Sequence, residues 1–211
     1  MTVQEQTLFS AKAVQILQGA LQEFLQNGYA GTSMDKVAAR AKVSKPTVYN
    51  HFRDKEGLFQ ALVKHVAQER CQRVTGAVPL QGAPDVVLRQ LATVTLSSIV
   101  QDSEYLDFVR LVVGESGRFP VLAQTFLEHL TCPTLEQLTQ YLEAHSELDI
   151  PDPEATARIL MGSVIFFAIT QGVLHGESIL PMASDRLVDS LMHLLLRHKV
   201  VQAIEREAAS T

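Results

Sequence analysis

The chain has 211 residues, of which 46% are hydrophobic, and a formal net charge of −5. This length and composition fit one or two domains with a substantial hydrophobic core. If the negative charge were spread evenly over the surface, it would argue against nucleic acid as a partner, because phosphates would repel it.

The charge is divided unevenly along the chain. Residues 1–76 hold 10 Lys and Arg against 6 Asp and Glu, whereas residues 77–211 hold 8 against 17. The N-terminal part therefore has a positive field of its own, and the acidic remainder is expected to face away from DNA. An ordinary solvated acidic surface is the other interpretation of the negative part.

The first predicted helix has one apolar face, formed by Val14, Leu17, Leu21, Phe24 and Leu25. It is predicted to end at Asn27-Gly28, a typical left-handed helix end. A short second helix follows, with Thr32 as its cap and Asp35 completing a box-like pair. Its apolar face is formed by Val37, Ala38 and Ala41.

The third predicted helix follows after a sharp turn at Lys42-Val43, in which Val43 fills the angle between the two helices. Ser44 caps this helix, and Pro46 is tolerated in its first turn because amides there have no intrahelical acceptor. Val48 and Phe52 are expected to face inward. The outward side is polar and consists of Lys45, Thr47, Tyr49, Asn50 and His51.

A fourth helix is predicted from about residue 54 to Thr75, and the segment Gly76–Pro84, rich in glycine and proline, is the predicted domain boundary. The prediction is therefore a helix-turn-helix domain at residues 1–53, a connecting helix at 54–76 and a helical domain at 77–211. The predicted helices of the last domain are 85–101, 104–115, 120–145, 154–174 and 184–206. No useful two-residue alternation occurs, so we expect an all-α fold of about nine helices.

The last two predicted helices are too apolar for the surface of a monomer. Apolar side chains cover every face of the penultimate helix between Ile159 and Ile169, and those of the last helix between Leu187 and Leu196 also exceed one stripe. The pair is therefore expected to form half of a four-helix interface in a homodimer. Packing within one monomeric core is the alternative.

Residues 32–62 resemble the DNA-binding signature of the TetR/AcrR family of transcriptional regulators. The matching positions are Ala38, Ala41, Val43, Ser44, Thr47, Tyr49, Phe52, Lys55 and Leu58. Two positions differ, because Lys42 and Pro46 stand where the family often has glycine. Lys42 is therefore expected to adopt a positive φ, which strains a residue other than glycine. The resemblance implies a dimer that reads a palindromic site on double-stranded DNA, most often as a ligand-responsive repressor.

The resemblance and the chemistry of the outward side assign roles to the candidate DNA-binding residues. Lys45 is expected to donate to guanine, Thr47 to contact thymine or an acceptor, and Asn50 to pair with adenine, while Pro46 adds contact with a base. Phosphate contacts are expected from Ser33, Ser44, Tyr49, His51 and Lys55.

The resemblance also implies a cavity for a small, partly apolar effector in the C-terminal half. The predicted lining, which is mostly apolar, consists of Leu91, Val94, Thr95, Phe108, Val112, Phe126, Leu130, Ile165 and Phe166. Gln171, His175 or Arg110 would supply the polar anchors. Plain core packing is the alternative at each position, and an effector-independent DNA-binding protein is the alternative function.

An all-helical enzyme is the least favoured interpretation, and no cofactor or metal is expected. The seven histidines show no HExxH pair, the two cysteines form no CxxC motif, and no glycine-rich phosphate loop occurs. The polar N-terminus is unlike a signal peptide, and the apolar run Ile159–Ile169 is shorter than the roughly 20 residues of a membrane span. We therefore expect a cytoplasmic protein without a membrane segment.

Overall fold

The computed structural model describes the backbone of residues 9–209 and the side chains of residues 9–196. The α-helical segments are α1 (Ala11–Gly31), α2 (Met34–Arg40), α3 (Lys45–Phe52), α4 (Lys55–Ala77), α5 (Pro84–Val100), α6 (Ser103–Ser116), α7 (Pro120–Phe126), α8 (Cys132–Ala144), α9 (Pro153–Ala168) and α10 (Ser184–Ala209). A π-helical turn, Leu127–Thr131, joins α7 to α8 without a break, which makes nine continuous helices in the described part. None of the residues 9–209 is in a strand, and the predicted all-α fold is confirmed.

The chain divides into two compact units. The first consists of Met1–Glu69 and Asp107–His129, and the second of Arg70–Leu106 and Leu130–Thr211. The helix α4 passes from the first unit into the second after Glu69, and α6 passes back after Leu106. These units differ from the predicted division at residues 53 and 76, which remains a prediction.

In the first unit, α1 and the first half of α4 bury their apolar faces together with α2 and α3. The fully buried side chains include Ile16, Leu17, Phe24, Val37, Val48, Leu58, Phe59 and Leu62. Helices α1 and α2 approach closely at Gly19, where a Cβ atom would lie 2.8 Å from the Cβ of Ala41. Glycine at position 19 therefore sets the distance between these two helices.

The helix α1 ends differently from the prediction. Gly28 has the expected positive φ of 67°, but one more turn follows before the helix ends at Gly31. Thr32 completes this end, because its hydroxyl donates to the carbonyl oxygen of Gly28 at 2.8 Å. The predicted capping of α2 by Thr32 is wrong, since Ser33 occupies that position and accepts from the amide of Lys36. Ser33 caps α2 because the extra turn makes Thr32 the C-cap of α1.

The second unit has a core built from α5, α8, α9 and α10. Its buried members include Leu88, Leu96, Leu138, Leu142, Val164, Phe167, Val188 and Leu191. The prediction of an uninterrupted α-helix at 120–145 is corrected by the π-helical turn. Pro133, in the first turn of α8, has no amide hydrogen and its ring would clash with the carbonyl four residues earlier, so regular α-helical bonding cannot continue through it.

A second π-helical turn, Ile169–Val173, extends α9 to the predicted end of that helix. The combined segment Pro153–Val173 has 21 residues and a mean hydropathy of 1.4, so by length and composition alone it matches a membrane span. It is longer than the apolar run recognised in the sequence. An apolar helix in the core or interface of a soluble protein has the same properties, and we infer no membrane crossing from it.

Candidate functional site

The turn between α2 and α3 sets the direction of the third helix. Lys42 adopts a φ of 54°, the left-handed conformation expected at this position. The amide of Val43 donates to the carbonyl oxygen of Ala38 at 3.0 Å, and the side-chain amide of Gln15 on α1 donates to the carbonyl oxygen of Ala41 at 2.8 Å. These bonds satisfy the last carbonyls of α2 and hold the turn against α1.

A buried carboxylate also attaches α2 to α1. Glu23 is 3% exposed and accepts from Nε of Arg40 at 2.8 Å and from Nδ2 of Asn27 at 2.7 Å. A buried charge is tolerated only when it is paired and hydrogen-bonded, and Glu23 meets both conditions. The sequence does not indicate this pairing, because Arg40 lies 17 residues from Glu23 and no local spacing connects the two.

The helix α3 has one buried and one exposed side. Val48 and Phe52 are buried, as predicted, and Ser44 caps the helix by accepting from the amide of Thr47. Thr47 is half-buried, and its hydroxyl forms a hydrogen bond with that of Ser44 at 2.7 Å. The exposed side chains are those of Lys45, Pro46, Tyr49, Asn50 and His51.

Both lysines among the nine predicted DNA-binding residues have their ammonium groups engaged by other protein groups. Lys45 forms an ion pair with Asp35 on α2, with Nζ 2.8 Å from Oδ1. Hydrogen bonding to Asp35, with the charge of that carboxylate, raises the pKa of Lys45, so the ammonium remains protonated.

Lys55, at the start of α4, lies among the groups that end α1. Its ammonium donates to the carbonyl oxygens of Tyr29 at 2.9 Å and Thr32 at 3.1 Å, and lies 4.4 Å from the centre of the Tyr29 ring. Burial, followed by the charge of Glu56, raises the pKa of Tyr29. Lys55 therefore ties α4 to the end of α1, a contact that the sequence prediction of a phosphate ligand did not include.

The predicted effector residues fall into both units. Phe108, Val112 and Phe126 belong to the first unit, and the remaining predicted lining residues belong to the second. Phe108 and Val112 are buried, whereas Ile165 and Phe166 are 40% and 67% exposed. The other predicted lining residues are half-buried, namely Leu91, Val94, Thr95, Phe126 and Leu130.

The polar anchors of the predicted cavity have defined surroundings. The side-chain amide of Gln171 donates to the carbonyl oxygen of Leu180 at 2.7 Å, and His175 is exposed with a φ of 54°. Arg110 pairs with Asp107 one helical turn away on α6.

One groove in the second unit lies between α5 and α10 and has a volume of about 570 Å³. It is lined by Asp85, Val86, Arg89, Gln90, Thr93, Val94, Met192 and Leu196. Only Val94 is shared with the predicted effector residues. The effector site therefore remains a prediction.

Family models match most of the chain. Residues 16–62 match the model of bacterial regulatory proteins of the tetR family, and residues 86–198 match the C-terminal domain of AefR-like transcriptional repressors. The first match contains α2, the turn, α3 and the start of α4. The second contains the described helices from α5 to the first half of α10.

Individual proteins resemble the chain over nearly its whole length. It is 24% identical over 189 residues to the HTH-type transcriptional regulator YvkB of Bacillus subtilis (strain 168), covering 86% of this chain and 94% of that one. A crystal structure of a TetR-family transcriptional regulator from Mesorhizobium loti has a TM-score of 0.74 and 27% identity, covering 88% and 95% of the two chains. The structure of the flavonoid-responsive regulator FrrA has a TM-score of 0.70 and 29% identity, covering 89% and 96%. The family and these relatives are transcriptional regulators, a class of proteins that are not enzymes.

Proposed function

The chain belongs to the TetR family of transcriptional regulators, and on this basis we propose that it is a ligand-responsive repressor that binds a palindromic operator as a homodimer. The observation that carries the proposal is the division of α3 into a buried side and an exposed polar side. Val48 and Phe52 anchor the helix, and this leaves its polar side, with Tyr49, Asn50 and His51, exposed and able to enter a major groove. The positive charge of residues 1–76 supports the same role.

The candidate side chains on α3 and at the starts of the neighbouring helices divide into those that read bases and those that set the register. Lys45 donates to guanine, Thr47 contacts thymine through its methyl group, and Asn50 pairs with the edge of adenine, with Pro46 adding apolar contact. Ser33, Ser44, Tyr49, His51 and Lys55 bind phosphate oxygens. The exposure of Ser33, Ser44, Tyr49, Asn50 and His51 supports this assignment, because each side chain can reach a ligand without a change of the fold.

The homodimer forms through α9 and α10. Large apolar side chains are exposed on both helices of the single chain, with Ile159 at 66%, Phe166 at 67% and Leu194 at 66%. Large apolar side chains left this exposed mark interaction sites in soluble proteins when they lie together on one surface. Two copies of α9 and α10 packed about a two-fold axis cover these side chains and place two copies of α3 on one duplex.

A small, partly apolar effector releases the DNA. The similarity to FrrA, which is described as responsive to flavonoids, supports a response of this kind, and the match to AefR-like repressors supports repression. The effector acts only if it binds the DNA-incompetent arrangement of the dimer more tightly than the competent one. The predicted lining residues in α5, α9 and the π-helical turns are its contacts, and the protein acts in the cytoplasm, where the DNA is.

Selection of bound fragments from a random-sequence duplex library by the purified protein tests the DNA-binding part of this proposal. The expected result is a palindrome whose half-sites are centred about one helical turn, ~34–36 Å, apart or a multiple of it. Enrichment of sequences without two-fold symmetry would contradict the dimeric reading of DNA.

A thermal-shift screen of metabolites and drug-like molecules then tests the effector part. A compound that stabilises the protein and also releases it from the selected duplex is expected. Stabilising compounds that leave DNA binding unchanged would favour an effector-independent DNA-binding protein.

A further inference from the structure

Asp35 on α2 holds the ammonium group of Lys45, the first residue of α3. Nζ of Lys45 lies 2.8 Å from Oδ1 and 2.9 Å from Oδ2 of the carboxylate. The two residues stand ten positions apart, on either side of the turn. The carboxylate therefore engages the ammonium through both oxygens at the end of α3 that is expected to approach DNA.

This ion pair is unsuited to stabilising the fold. The side chains of Lys45 and Asp35 are 56% and 62% exposed, and ion pairs in such settings contribute little to stability because water and salt screen them. Its main consequence is electrostatic. The pair places a negative charge next to one of the few positive charges on α2 and α3, and so cancels the field of Lys45 at distances beyond the pair.

The cancelled charge affects the two kinds of DNA contact differently. A phosphate that binds Lys45 must displace the carboxylate of Asp35, which then lies unpaired beside the negatively charged DNA. The attraction between Lys45 and the phosphate is therefore largely offset by the lost ion pair and by the repulsion of Asp35. A guanine edge offers neutral acceptors, O6 and N7, and an ammonium group has three hydrogens. Lys45 can therefore donate to guanine while it remains bound to Asp35.

We propose that Asp35 is a specificity-determining residue, which suppresses the attraction of Lys45 to phosphates of any sequence while leaving its contact with a base edge intact. The proposal rests on the DNA-binding function proposed above. It assigns a role to an acidic residue on α2, a helix for which no base contact is expected.

The variant Asp35→Asn tests this proposal, because it removes the charge and retains the shape of the side chain. Binding to a random-sequence duplex is measured by fluorescence anisotropy over a series of salt concentrations. Wild type, Asp35→Asn, Lys45→Ala and the double variant are compared. Glu56→Gln is the matched control, since it removes one negative charge from an exposed side chain in the first turn of α4. Circular dichroism establishes that each variant is helical.

Asp35→Asn is expected to tighten binding to random-sequence DNA roughly five- to tenfold near 0.1 M salt and to steepen the dependence of log K on log salt by about 0.9. In the Lys45→Ala background, Asp35→Asn is expected to change the affinity for random-sequence DNA by less than about twofold. Glu56→Gln, introduced into wild type, is also expected to change this affinity by less than about twofold. An unchanged affinity for Asp35→Asn would overturn the inference. So would a gain of equal size in the Lys45→Ala background or with Glu56→Gln. If the wild-type protein showed no salt-dependent binding to any duplex, the proposed function would be overturned, and the inference with it.

Discussion

The guanidinium carbon of Arg70 lies 3.6 Å from the centre of the Tyr105 ring, and both side chains are buried. Arg70 also donates to the carbonyl oxygen of Ser98 at 2.9 Å and to Oδ2 of Asp102 at 2.7 Å. Asp102 in turn accepts from the amide of Tyr105 at the start of α6. A single side chain of α4 thus binds the end of α5, the connection to α6 and the first turn of α6.

The variant Arg70→Met is expected to lower the free energy of unfolding by about 2–3 kcal/mol, because the carbonyl of Ser98 and the carboxylate of Asp102 lose their buried donor. Denaturant unfolding followed by circular dichroism measures the change. Arg73→Ala is the control, since Arg73 lies 3.6 Å from the same carboxylate but is 59% exposed. That substitution is expected to cost under about 1 kcal/mol. Equal losses for both variants would contradict the importance of the buried site.

Stability should fall in strong alkali because of Tyr105. Burial raises the pKa of Tyr105 from 10.0 to about 12. The charge of Arg70 lowers this pKa and that of Asp102 raises it, but both effects are smaller than that of burial. The neutral phenol is favoured in the folded state, so its contribution is complete below the unfolded pKa and is lost as pH rises through the folded pKa. The free energy of unfolding is therefore expected to decrease between about pH 10 and 12 by roughly 2 kcal/mol. Tyr105→Phe should remove that part of the pH dependence, and an unaltered profile in this variant would show another group to be responsible.

Lys55 has a structural role that can be separated from contact with DNA. The variant Lys55→Ala removes the donor to the carbonyl oxygens of Tyr29 and Thr32, so we expect a loss of about 1–2 kcal/mol in stability and weaker binding to all DNA sequences. Thermal unfolding and anisotropy titration give the two quantities. Lys12→Ala, at an exposed lysine of α1, serves as the control and should change stability by less than about 0.5 kcal/mol. Weakened DNA binding with unchanged stability would indicate a phosphate contact alone.

Substitutions on α3 should separate base reading from phosphate binding. Lys45→Ala is expected to relax the preference at one base pair by about 1–3 kcal/mol, because the proposed base-edge donor is lost. Tyr49→Phe is expected to weaken binding to all sequences alike, since only the hydroxyl proposed to bind phosphate is removed. Titrations against the selected site and its single-base variants measure both effects. Unchanged affinity of both variants would remove the assignment of these residues.

Phe166 should be central to self-association. The variant Phe166→Glu replaces an apolar side chain that is 67% exposed in the single chain with a charged one. It is expected to weaken dimerisation by at least about 2 kcal/mol, or roughly 30-fold. Light scattering coupled to size-exclusion chromatography measures the mass. Val113→Glu, at a side chain of α6 that is 65% exposed, is the control and should leave the dimer intact. A monomeric wild type would contradict the predicted interface.

Local features of the DNA-binding unit could be predicted from the sequence. The cap at Ser44, the positive φ of Lys42 and the inward Val48 and Phe52 follow from backbone rules and from spacings of three to four residues. The prediction of Thr32 as the cap of α2 is wrong, because Thr and Ser are both good caps and the extra turn after Gly28 decides between them. Neighbouring residues contain no information that distinguishes these two outcomes.

Contacts over longer separations could not be predicted. The partners of Lys55 lie 23 and 26 residues away, and Asp102 lies 32 residues from Arg70. Each pairing depends on how the helices pack, which periodicity alone does not determine. The sequence correctly indicates that α9 and α10 are apolar helices. It does not distinguish their buried side chains, such as Phe167, from exposed ones, such as Phe166, because that distinction also depends on how the helices pack.

The mass of the protein–DNA complex tests the central claim most directly. Native mass spectrometry is applied to wild type with a duplex that carries the selected palindrome and with one in which half of it is scrambled. Two subunits are expected on the full site, with markedly weaker binding once one half-site is lost. One subunit per duplex, with equal affinity for the intact and the scrambled site, would contradict the account.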